Sequence, residues 1–253
     1  MFPTAHNAMS SAADGWFLPN QPHGIRAQLD AGITGMMIDV YAAQGLDGVT
    51  DGTPLLCHGV CQAGRRDLVE AFADIRSWLL EHPRTVLVFI LEDHVQPEVI
   101  DAALQQSQLR SMCIEQGTGQ QWPTMNETIA RGRRLLIMLE SGKGQQAWNH
   151  AYEKVAFDTP YAAETPEELS CEVLRGKKGN AFFVVNHFLT KGLTGHAELA
   201  KLVNFNPLLS TRVANCEAKQ AQRANLIAVD WYTHGDVLHL AATMNAAPQA
   251  GDP

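Results

Sequence analysis

Six short apolar runs in this 253-residue chain end in residues that can do chemistry: His6 and Asn7, Asp39 and Tyr41, His58, Glu92, Asn186 and His187, and Asp230. Two imidazoles are the pair that phosphodiester cleavage needs, one to deprotonate an attacking hydroxyl and one to protonate the leaving oxygen. An unperturbed imidazole titrates near ~6.5, so both protonation states are accessible near neutrality. Charge that builds on the phosphoryl oxygens must be offset. Asn7, Asp39 and Glu92 are hard oxygen donors suited to Ca2+, with Mg2+ as the second choice. Alone, any of these residues would read as a polar cap on a strand end. Six strands ending this way predict a shared cleft.

The elements that must position them alternate. Residues 2–5, 36–41, 54–57, 85–91, 135–139, 155–159, 182–188 and 226–232 read as strands. Between most of them lie helical patterns, over 24–31, 66–82, 97–109, 124–131 and 194–204. In the second of these, Leu68, Phe72, Ile75, Leu79 and Leu80 recur at helical spacing. The fourth opens on a capping box, Thr124 to Glu127. Eight strands alternating with helices predict one α/β domain, a TIM (β/α)8-type barrel over 1–244 with a flexible tail over 245–253. Barrel enzymes build their sites at the C-terminal ends of the strands, where these residues stand. Closure would set the last strand beside the first. Asp230 could then fix the tautomer of His6, as the carboxylate of a catalytic triad does.

Composition excludes some partners. A net charge of −8 argues against nucleic acid and against tight docking on anionic membranes. No apolar run approaches the ~20 residues that span a bilayer. No signal peptide precedes the first strand, and a chain that opens directly on that strand suggests an upstream segment. Five cysteines allow at most two disulfides and a free thiol. Cys57 and Cys61 lack a second Cys/His pair at zinc spacing, which favours structural cysteines. Trp16, Phe17, Trp122 and Trp148 are the aromatic candidates for contact with a lipid surface, each weighed against ordinary packing.

At these residues the chain resembles a known family. Ala5-His-Asn-Ala-Met-Ser10, Gln28-Leu-Asp-Ala-Gly32, Met37-Ile-Asp-Val40, Cys57-His-Gly-Val-Cys61 and Phe89-Ile-Leu-Glu-Asp93 are similar to the opening of a phosphatidylinositol-specific phospholipase C X-domain. Trp122-Pro-Thr, Val185-Asn-His-Phe188 and Ala228-Val-Asp-Trp-Tyr232 resemble its secreted subgroup. The resemblance covers nearly the whole chain except the tail. It implies a distorted barrel of the PLC-like phosphodiesterases, secretion, and cleavage through a cyclic inositol phosphate. His6 is then the base, His58 the acid and Asp230 their catalytic partner. Asn7, Asp39 and Glu92 match calcium-ligand positions, while Tyr41, Asn186, His187 and Trp231 are candidate substrate contacts. The position of Tyr41 carries a carboxylate in the calcium branch and an arginine in the metal-independent one, so this chain departs from both. The expected partners are a phospholipid or other small phosphodiester and, transiently, a membrane surface. Glycerophosphodiesters, sphingomyelin-type lipids, or a non-catalytic barrel that binds a phosphorylated ligand are the alternatives.

Overall fold

Runs rich in Val, Ile, Leu and Phe become strands buried on both faces, as parallel strands under a layer of helices must be. The computed structural model describes residues 1–117, 119–143, 146–192 and 196–247. Eight strands run parallel: β1 (Phe2–Ala5), β2 (Gly35–Ala42), β5 (Leu87–Asp93), β6 (Leu135–Leu139), β7 (Asn149–Ala151), β8 (Ala156–Asp158), β9 (Phe182–Asn186) and β10 (Leu226–Val229). Their order in the sheet is β7-β6-β5-β2-β1-β10-β9-β8. The curled sheet is therefore the expected α/β barrel in distorted form. Among the described residues no ladder joins β7 to β8, so the wall is open there.

Alternation along the strands sorts every side chain. Met37, Val88, Ile90, Met138, Val184 and Ala228 fill the barrel interior. Their neighbours Met36, Ile38, Phe89, Leu91, Ile137, Val185 and Ile227 face outward, onto the helices. Helix α1 (Ile25–Asp30) buries Ile25, Gln28 and Leu29, and α2 (Leu68–Glu81) buries Leu68, Phe72, Ile75 and Leu79. Each fully buried side chain of this size contributes about 1.5–3 kcal/mol of burial. Leu80 departs from the expected inner face: it is exposed, and Trp78 takes the buried place while its Nε1 donates to Asp30 at 2.7 Å. The remaining helices are α3 (Pro97–Gln106), α4 (Met125–Ala130, with its capping box), α5 (Tyr152–Val155), α6 (Ala197–Val203), α7 (Leu208–Gln220) and α8 (Val237–Ala246). The start of the helix expected over 194–204 and the tail from residue 248 lie outside the described residues.

One expected barrel strand is something else. Residues Pro54–Leu56 (β3) pair antiparallel with β2 and with the two-residue β4 (Arg66–Asp67). Here β2 runs past the rim and β3 returns, with Val40 opposite Leu56 and the Cys57 amide on the Asp39 carbonyl. The hairpin thus carries His58 back down to the level of Asp39. The barrel's eighth parallel strand is instead β7.

Disulfides join Cys57 to Cys61 and Cys171 to Cys216, and Cys113 is a buried free thiol. No helix among the described residues is long and apolar enough to cross a membrane.

Candidate active site

The first and last strands lie side by side, with Ala5 opposite Val229. The next residue on each strand turns inward, and His6 Nδ1 meets Asp230 Oδ1 at 2.9 Å. Asp230 is 2% exposed and also accepts from Asn20 Nδ2 at 3.1 Å. A carboxylate at Nδ1 holds the proton there and leaves Nε2 free to act as a base. Phe188 stacks on the imidazole, centroids 3.8 Å apart and planes 6° from parallel, which fixes the ring's tilt. Gln21 Nε2 donates to the carbonyls of His6 (2.7 Å) and Val229 (3.0 Å), tying the two strand ends together.

Both strands then turn sharply. Asn7 and Trp231 adopt left-handed backbone, φ 46° at each. Asn tolerates this region; for Trp it is strained, as occurs where a site dictates the backbone. The Asn7 amide reaches His58, Nδ2 to Nε2 at 3.3 Å. With Nδ2 donating, His58 Nε2 is unprotonated and the Asn7 Oδ1 remains available. Burial, then the nearby His6, lowers the pKa of His58. Gly59 in left-handed backbone and the Cys57–Cys61 bridge close the loop that carries it.

The neighbouring strands supply carboxylates. The β2–β5 register sets Asp39 beside Glu92. Asp39 is 4% exposed, and among the described residues its carboxylate has no hydrogen bond or ion pair. Burial, then the charges of Glu92 and Glu140, push it up to about 8. Glu92 is half exposed and accepts from His94 Nε2 at 2.7 Å, and the ring of His94 stacks on Tyr41 with centroids 4.0 Å apart. Burial, then Glu92 and Asp39, raise the Tyr41 phenol to about 12.

No three His, Cys, Asp or Glu side chains among the described residues form a ready-made metal group. The donors that face the mouth are two carboxylates and an amide oxygen. A buried, unpaired carboxylate beside a second one is costly unless a cation compensates it, so this set fits a hard divalent ion.

Across the mouth stands a cluster that the strand-end reading missed. Glu140 directly follows β6 and Asp158 ends β8, both pointing inward, and Arg175 joins them: Nη1 to Glu140 at 2.7 Å, Nη2 to Asp158 at 2.6 Å. Tyr152 and Tyr161 cover its guanidinium, each ring centroid 4.8 Å away. Asn186 belongs to this cluster, donating to Asp158 (3.3 Å) and to the Thr159 carbonyl (2.7 Å). Glu140 and Asp158 follow the same apolar-run rule that picked out Glu92. Arg175, in a loop, gave no such signal.

Two expected contacts are not brought to the reacting groups. His187 alternates with Asn186 and Phe188, so it points outward; it is fully buried, bonded to the Val203 carbonyl at 2.8 Å. Burial, then Arg212, lowers its pKa to about 4, so it is a neutral packing residue between sheet and helices. Trp231 lies beside Asp230 in sequence, but its ring stacks with His234, and its buried Nε1 has no partner among the described residues. Of the four aromatic candidates for lipid contact, Trp16 and Trp148 are buried and Trp122 packs against the barrel interior. Phe17 is 69% exposed.

The family profile for the PI-PLC X domain (PI-PLC X 1) matches residues 4–245. A "PI-PLC X domain-containing protein 1" of Arthroderma benhamiae is 23% identical over 246 residues, which span 89% of this chain and 78% of that one. An "uncharacterized secreted protein" of the same organism is also 23% identical, and there the match spans 95% of this chain and 59% of the relative. Among solved structures, the phosphatidylinositol-specific phospholipase C from Listeria monocytogenes superimposes with a TM-score of 0.65 at 14% identity, over 98% of this chain and 93% of that one. The eight-stranded barrel and the family match over nearly the whole chain lead to one statement: this chain belongs to the PI-PLC X domain family.

Proposed function

We propose that the protein is a phosphodiesterase that cleaves the headgroup of a phospholipid, phosphatidylinositol first, by acid–base catalysis between His6 and His58. The observation that carries this reading is the His6–Asp230 pair, set against a second imidazole bonded to Asn7. His6 Nε2 takes the proton of the inositol hydroxyl next to the phosphate. The hydroxyl oxygen bonds to phosphorus, the bond from phosphorus to the diacylglycerol oxygen breaks, and His58 supplies that oxygen's proton. Asp230 stabilises the imidazolium formed on His6. The hydrogen bond from Asn7 is made to an unprotonated His58 Nε2, so His58 must gain a proton before it can serve as the acid. An arriving phosphodiester anion favours that form.

Asn7, Asp39 and Glu92 would hold a divalent cation, Ca2+ by ligand chemistry. When bound it would offset charge on the phosphoryl oxygens. Tyr41 lines the same mouth and would contact the headgroup, whereas the Asn186 amide is spent on Asp158 and the Thr159 carbonyl. Two disulfides suit an oxidising compartment and, with the name of the secreted relative, support an extracellular protein.

The test is release of water-soluble inositol phosphate from phosphatidylinositol vesicles, with Ca2+ and then with excess chelator. Release that stops in chelator is expected. Release that continues undiminished contradicts the cation, and no release in either condition contradicts the substrate.

A further inference from the structure

The β2–β5 register that sets Asp39 beside Glu92 continues one step further. Val40 lies opposite Asp93, so the next inward pair, beyond the rim, is Tyr41 and His94. Four side chains thus form a two-by-two array: Asp39 and Glu92 in the lower row, Tyr41 and His94 above. Contacts tie three corners together. The Tyr41 and His94 rings stack at 4.0 Å, 17° from parallel, and His94 Nε2 meets Glu92 Oε1 at 2.7 Å. The fourth corner, Asp39, is the buried carboxylate without a partner among the described residues.

We propose that His94, held by the face of Tyr41, is a positioning residue that clamps Glu92 at the cation site, and this rests on the cation reading above. Glu92 is about half exposed, with three rotatable bonds, and a free glutamate there would lose much of its affinity to ordering. An exposed His–Glu pair is worth little by itself. Here one partner is already immobilised by a ring stack, and the other faces a carboxylate that lacks a counter-charge. The clamp also accounts for Tyr41, which cannot replace a carboxylate as a ligand but provides a flat platform for the imidazole. Hydrogen bonds that orient a ligating carboxylate from outside commonly affect metal affinity by 10–100-fold.

The experiment is Ca2+ binding by calorimetry on the full chain, with chelator-treated melting curves to show that each variant folds. His94→Phe keeps a ring on Tyr41 but has no donor, and is expected to weaken Ca2+ binding about tenfold. His94→Gln restores an N–H donor and recovers part of the loss, and Tyr41→Phe, which keeps the stack, binds as the parent does. Mn2+ in the same site is expected to show no directly bonded nitrogen in its spin-echo spectrum. Unchanged Ca2+ affinity in His94→Phe overturns the clamp and leaves the cation reading standing. A nitrogen bonded to Mn2+ overturns it in favour of ligation by His94. If the parent binds neither ion, the cation reading fails and the clamp fails with it.

Discussion

Asp39 and Asp158 are both inward-facing aspartates on barrel strands, and both are almost fully buried at one mouth, yet their surroundings are opposite. Asp158 accepts from Arg175, Tyr152 and Asn186 and forms the centre of a satisfied ion network. Among the described residues Asp39 has no such partner, and its neighbours Glu92 and Glu140 disfavour its charged form. One half of the mouth, on β6, β8 and β9, is thus finished structure. The other half, on β1, β2, β5 and β10, holds a buried carboxyl without a counter-charge, two imidazoles and strained backbone. Unspent electrostatic potential of that kind marks where a ligand completes the protein.

The sharpest way to break this comparison is in the reactive half. His58→Ala should lower turnover by about 10²–10⁴ while leaving the fold intact, measured as the initial rate of headgroup release beside a melting curve. A full-rate variant would remove the hairpin from the chemistry. The two aspartates should then respond with opposite signs. Asp158→Asn leaves a buried guanidinium short of a counter-charge and should cost roughly 3–5 kcal/mol in urea unfolding. Asp39→Asn should stabilise the cation-free protein near neutrality by an amount on the order of a few kcal/mol. Its carboxyl is pushed up to about 8 in the folded state, against 3.8 for an ordinary aspartate. Between those values the folded state holds a proton that the unfolded chain releases, so its contribution to stability falls as pH rises through that window. The asparagine variant lacks this decline, and a parallel decline in both proteins would refute the assignment.

The smallest effect is on the pH profile. His58 must be charged to act as an acid, and burial lowers its pKa. The two imidazoles set the two limbs of kcat/KM, so one limb should lie below the ordinary imidazole value. Two limbs that both lie above that value would mean that another group supplies the proton.

Much of this arrangement was readable from residue types because strand alternation and closure are strong constraints. The pairing of His6 with Asp230 follows once the last strand lies beside the first. Alternation also separates inward Asn186 from outward His187, a distinction that strand position alone does not make. The hairpin was hidden because Pro54–Leu56 has the apolar character of a barrel strand, and only its pairing shows it runs the other way. Strand β7 was hidden because Asn149–Ala151 is three residues long and largely polar. Helix α7 escaped because its Arg, Asn, Glu, Lys and Gln dilute the apolar spacing. Arg175 joins the mouth from a loop, so no local pattern could announce it.

The central claim is that His6, oriented by Asp230, is the base of a phosphodiester cleavage. Phosphorus NMR of phosphatidylinositol vesicles incubated with the parent protein and with His6→Ala, both in Ca2+, tests it directly. A cyclic inositol phosphate resonance that grows with the parent and stays absent with the variant is the predicted result. Equal growth in both, or a lipid phosphorus signal untouched by the parent, would contradict it.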